Sequence, residues 1–152
     1  MFMELFTELP SDEVVRHLSS GRVGSVKVGP VERDERGPFG RWDYGVFSVK
    51  ALTDEDHEEL NGYHGLPSTL RTRIWFSTQP YYEGQLALYG LMAHLLRTWP
   101  GDLALVNYGE TVNVERVNGH IRLRVEYLNE DILPIFESFD YQPLPVPPVP
   151  QT

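Results

Sequence analysis

Residues 80–99, PYYEGQLALYGLMAHLLRTW, constrain the fold more than any other stretch of the chain. Tyr81, Leu88, Leu91, Met92, Leu95 and Trp99 recur at helical spacing, and Tyr82, Leu86, Tyr89 and Leu96 widen the apolar face. At ~1.5 Å per residue such a helix is ~30 Å long, about the width of a small domain. Pro80 is tolerated in a first turn, where its missing N–H would be unsatisfied anyway, and Pro100-Gly101 ends the helix. Only the stripe Glu83, Ala87, Gly90, His94 and Arg97 is not bulky and apolar. A helix with so broad an apolar face must lie on a sheet and against a second element.

Strand-like segments supply that sheet. Residues 1–9 alternate and end at Pro10, and Ser11 is the expected N-cap of a short helix with Val14, Val15 and Leu18 inward. Residues 23–28 and 44–52 alternate as strands around a Gly-, Pro- and charge-rich loop or hairpin tip at 29–41. Thr53 with Asp56 predicts a capping-box start to a second short, acidic helix that ends at Asn61-Gly62. Residues 70–78 then set Leu70, Thr72, Ile74 and Phe76 against Arg71, Arg73 and Trp75. After the long helix comes an apolar strand at 103–107. A hairpin is expected around Asn118-Gly119, with Val112, Val114 and Arg116 opposing Ile121, Leu123 and Val125. The expected fold is α+β: a mainly antiparallel sheet with one long central helix and two short helices packed on one face. One domain should span residues 1–142, and the proline-rich 143–152 should form a tail.

Composition removes several classes of function. There is no cysteine, hence no disulfide scaffold, thiol nucleophile or cysteine-ligated metal. No apolar run approaches the ~20 residues that span a bilayer, and residues 1–18 do not pattern as a signal peptide. The expected location is the cytoplasm, with no membrane partner. The formal net charge of −9 repels nucleic acid and favours encounter with a basic protein.

No catalytic or metal-binding spacing is present. The acidic run Asp54, Glu55, Asp56, His57, Glu58, Glu59 is consecutive, so a helix splays it around its axis rather than converging it on an ion. His17, His57, His64, His94 and His120 lack any HxxxH or HExxH pairing, and Gly21, Gly24 and Gly29 lack the Lys–Ser/Thr pair of a phosphate loop. No metal, cofactor or catalytic residue is expected. The Tyr and Trp residues are core by default, and some are expected as interface anchors.

Two segments carry a family likeness, FSVKALTDEDHEELNGYHGLPSTLRTRIWFSTQ and QLALYGLMAHLLRTWPGDLALVNYGETVNVERVNGHIRL. A strand leads to an acidic short helix and a Tyr-His-Gly element. A strand with Arg73 and Phe76 follows, then the long helix, Pro-Gly-Asp, an apolar strand and the Asn-Gly hairpin. In these features residues 46–125 resemble the SitI-type immunity proteins of bacterial polymorphic-toxin systems. Ser77-Thr78-Gln79-Pro80 replaces the charged residues that follow the corresponding strand in that family, and the proline-rich tail is not a family feature. The resemblance implies a non-enzymatic protein that binds and neutralises a cognate toxin, and it implies no catalytic residues.

Charge alone nominates Glu32, Asp34, Glu35, Asp54, Glu55, Asp56, Glu58 and Glu59 as contacts to a basic toxin. Two other classes of function remain open at this level. One is a small enzyme whose site assembles His64 or His94 with distant Tyr and Asp. The other is an adaptor read through PLPVPPVP. The sequence leaves the oligomeric state open.

Overall fold

Alternation along the first strand decides how the molecule is layered. In β1 (Phe2–Thr7), Met3 and Leu5 point to one face of a sheet while Phe2, Glu4 and Phe6 point to the other. The computed structural model describes residues 1–145, and β1 is the middle strand of its nine-stranded sheet. On one side lie β7 (Thr72–Ser77), β6 (Gly45–Ala51), β5 (Gly37–Trp42) and β4 (Glu32–Asp34). On the other lie β8 (Leu103–Asn107), β9 (Thr111–Val117), β10 (His120–Leu123) and β11 (Tyr141–Pro143). All pairings in this sheet are antiparallel except β10 with β11.

The Met3–Leu5 face carries the main core. Phe47, Val49, Ile74, Phe76, Leu105, Val114 and Leu123 share it. Two helices cover it, α1 (Ser11–Leu18) through Val14 and Leu18, and α3 (Tyr81–Thr98) through Leu88, Leu91, Met92 and Leu95. The second cover that so apolar a helix requires comes from Leu128, Ile132 and Phe136, in the turns between β10 and β11. A small hairpin of β2 (Arg22–Val23) and β3 (Val26–Lys27) also reaches the helix, and a Cβ on its Gly24 would meet the His94 ring at 2.9 Å. His94 is therefore half-buried beneath a turn.

The carboxyl end of α3 is closed by a strand residue. Arg116 donates to the carbonyls of Leu96, Trp99 and Gly101 at 2.7, 2.5 and 2.8 Å. A cation at the negative end of a helix dipole stabilises it, and here it also satisfies carbonyls that the helix leaves unpaired. Asp102 then accepts from the Asn118 N–H at 2.9 Å and from the Thr69 hydroxyl. The Pro-Gly-Asp turn and the Asn-Gly hairpin are thus tied together.

The α+β class, the long helix, two shorter helices and the mainly antiparallel sheet are as expected. Several local expectations need correction. Ser11 does not cap α1: Pro10 holds that position, and the Ser11 hydroxyl pairs with Thr72 Oγ1 at 3.1 Å. Residues 23–28 are a tight turn rather than one strand, because Gly24 adopts φ +60. A register shift between β8 and β9 turns Val112 to the Phe6 face while Val114 stays on the Leu5 face. Residues 29–41 contain β4 and most of β5 as a hairpin. Val125 lies in a helical turn rather than opposite β9.

The second short helix, α2 (Asp54–Glu59), also departs from the picture of one covered face. It buries no residue of its own, and the apolar residue that docks its far end, Leu60, packs with Phe6 on the opposite side of the sheet. Its start is as predicted: Thr53 Oγ1 accepts from the Asp56 N–H at 3.1 Å, and Asp56 accepts from the Thr53 N–H at 2.9 Å. A π-helical turn, Leu60–His64, prolongs it past the expected stop at Asn61-Gly62. Of the expected tail, Pro143 closes β11 and Leu144 is buried beside Phe6, while residues 146–152 lie outside the described residues.

Candidate functional site

The face of the sheet that carries Phe2, Glu4 and Phe6 is only half covered. Leu60, Leu66 and Leu70 pack over Phe6, Ala104, Val106 and Val112. Burial holds the His64 imidazole below its ordinary value, against the pull of Glu59 and the nearby Gly109 backbone. Among the described residues no helix packs over the rest of the face, across β1, β7, β6 and β5.

That bare region is a concavity of about 910 Å³. Residues paired directly across strands share a face, so the register builds its floor: Glu4 opposes Trp75, Trp75 opposes Ser48, and Ser48 opposes Phe39. Lys50 opposes Arg73 one row further on, and the β4–β5 turn raises a wall that includes Asp34, Arg36 and Pro38.

Three aromatic rings run along one margin. Phe2 stacks between Trp75 and Tyr108, with centroids 5.8 and 4.9 Å away and ring planes within 28° and 24°. Val46 and Tyr108 are 46% and 42% exposed, whereas Trp42 and Trp99 are buried. Trp75 is the only tryptophan of the chain on this uncovered face. Such a row in water is a cost to the free protein unless something covers it.

One ion pair crosses the floor, Arg73 to Glu4 at 3.3 Å. Burial raises the Glu4 carboxyl above the ordinary value; Arg73 opposes this, and the charges of Glu59 and Asp56 reinforce it. Asp56 moves the other way. Burial pushes it up, but the Thr53 hydrogen bonds and the nearby charges of Arg73 and Lys50 hold it lower.

Of the residues that charge singles out, Asp34 lines the concavity and the other seven do not. Asp34 lines the far wall and accepts the Arg36 N–H at 2.8 Å, with Glu32 on β4 and Glu35 in the turn beside it, all exposed. Asp54, Glu55, Glu58 and Glu59 are exposed on α2, and Asp56 is half-buried in its capping box. Phe2, Glu4, Lys50, Arg73 and Trp75, which line the concavity, are not among the residues that charge singles out. Their signal was present in the strand alternation, which set Arg73 and Trp75 opposite Ile74 and Phe76.

His64 and His94 are not brought together. One lies on each side of the sheet, His94 on α3 against Gly24 and His64 in the turn after α2. Among the described residues no three His, Asp or Glu side chains converge as metal ligands, and no helix is long and apolar enough to cross a membrane. Comparison of the chain with family models, with curated proteins and with solved structures finds no match.

Proposed function

We propose that the protein is a non-enzymatic immunity protein that binds and neutralises a cognate, basic bacterial toxin in the cytoplasm, and that the toxin seats on the half-covered sheet face. The observation that carries this reading is the pair of half-buried rings Trp75 and Phe2 in the concavity, with the exposed Tyr108 stacked on Phe2 and Asp34 on the wall. Interface energy concentrates in aromatic anchors that become fully desolvated, while surrounding charges steer encounter and set orientation. The resemblance of residues 46–125 to the SitI-type immunity proteins supports the same role, and the net charge of −9 suits a basic partner. Neutralisation then follows from occlusion: a toxin surface held on the concavity is denied to its substrate.

The experiment has two stages. The chain is captured from its native host with whatever binds stoichiometrically, and the captured protein is then produced in a sensitive cell. The proposal expects growth arrest, relieved by co-production of the wild-type chain and not by a Trp75→Ala/Tyr108→Ala variant. A stoichiometric partner that does not impair growth contradicts the immunity role. Relief by the variant contradicts the assignment of the face.

A further inference from the structure

Long-range attraction and contact read different parts of this surface. A partner approaching from beyond a Debye length, ~10 Å at 0.1 M salt, senses the whole charge of −9. A segment already in the concavity meets its lining, and that lining has the opposite bias. Arg36, Lys50 and Arg73 line it against two carboxylates, Glu4 and Asp34. Glu4 is paired with Arg73 at 3.3 Å, while Asp34 accepts only the Arg36 backbone N–H at 2.8 Å and is the one lining carboxylate without a cationic partner. Among the described residues the ion pairs are Arg73–Glu4 and Arg122–Glu115, so Lys50 and Arg36 have no carboxylate in contact.

From this we infer that the concavity receives an extended segment of the partner that is apolar and acidic, although the partner as a whole is basic. Apolar or aromatic side chains of that segment lie on Trp75, Phe39 and Val46, and a carboxylate meets Lys50 and Arg36. The dimensions suit an extended chain. From β1 to β4 the face crosses four strand spacings of ~4.8 Å, or ~19 Å, and about six residues at ~3.3 Å each cover that distance. A lysine or arginine inserted there would face Lys50, Arg36 and Arg73, with Asp34 as the one lining carboxylate free of an ion pair to accept it. The inference rests on the proposed function for the identity of the face, and it adds the chemistry of what enters.

The test uses the full chain and three capped hexapeptides, Gly-Phe-X-Phe-X-Gly, with X as Glu, Gln or Lys. Binding is read from the indole N–H resonance of Trp75, assigned by its loss in Trp75→Phe. The Glu peptide should shift that resonance and bind at least tenfold more tightly than the Lys peptide, with Gln between. In Lys50→Gln/Arg36→Gln, both exposed positions, the Glu-over-Gln preference should fall to near unity with the rest of the spectrum unchanged. Equal or tighter binding of the Lys peptide overturns the inference, as does tighter binding of an oligothymidylate. So does a Trp75 resonance unmoved by any peptide at millimolar concentration. Its failure is separable from that of the functional reading. If toxin capture survives Lys50→Gln/Arg36→Gln and is lost in Trp75→Ala, the immunity role stands and the acidic segment falls.

Discussion

Tyr89→Phe removes one atom from the centre of the molecule, and the structure says what that atom does. Tyr89 is fully buried on α3, and its hydroxyl accepts from Asn113 Nδ2 at 2.8 Å. Asn113 is itself buried, and its Oδ1 has no partner. Without the Tyr89 hydroxyl the amide loses its remaining side-chain contact. A buried polar group left unpaired costs about 1–3 kcal/mol, whereas replacing both partners by apolar groups of similar shape is close to neutral. Tyr89→Phe should therefore destabilise by about 1–3 kcal/mol, and Asn113→Leu by a similar amount. The double variant should recover at least about 1 kcal/mol of the sum, the coupling expected of residues in contact. Urea unfolding monitored by circular dichroism gives all three values, with an unchanged denaturant slope as the check that only stability moved. A loss below about 0.5 kcal/mol for Tyr89→Phe, the range of ordinary surface substitutions, or strict additivity, would refute the pairing.

The same hydroxyl sets an alkaline limit. Burial raises Tyr89 to about 12 from 10.0, against the Asn113 bond, so its contribution is complete below pH 10 and is lost as pH rises through 12. That loss should be absent from the unfolding profile of Tyr89→Phe. Leu95 is buried between α3 and the sheet, and Leu95→Ala should cost about 2–5 kcal/mol in the same denaturation assay. Gly45 has φ +153, and a Cβ there would sit 2.3 Å from Ser77 Oγ. Gly45→Ala should destabilise by more than about 1 kcal/mol, and a neutral result would show that β6 can move away from β7 at this point. With the captured toxin, replacing Asp54, Glu55, Glu58 and Glu59 by amides should slow association and flatten its salt dependence, while dissociation changes little. Asp56 is left intact in that variant because its carboxylate closes the α2 cap.

Much of the fold is legible because apolar spacing is a local signal. The α3 stripe, the Thr53–Asp56 cap and the Asn118-Gly119 turn are each contained within a few residues and are found where expected, except that Tyr82, expected on the apolar face, is exposed and pairs with Asp131. What failed depends on distant residues. Ser11 has the composition of a cap, but Thr72, brought beside it by β7, takes its hydroxyl. Val112 changes face because β9 carries a bulge that neighbouring side chains do not announce. The α2 helix lies on the second face because Leu60, just after it, packs with Phe6 there. Of the candidate concavity, charge singles out Asp34 alone; the floor needs Glu4, Lys50 and Arg73 from three strands, and the register joins them.

The central claim is that the toxin sits on the Trp75–Phe2–Tyr108 face, and titration calorimetry of the captured toxin against two variants tests it most directly. Trp75→Ala should weaken binding by at least about thirtyfold, the threshold of about 2 kcal/mol for an interface anchor. His120→Ala, an exposed residue at the far hairpin, should leave the affinity unchanged. Full affinity in Trp75→Ala would contradict the account and place the interface elsewhere on the molecule.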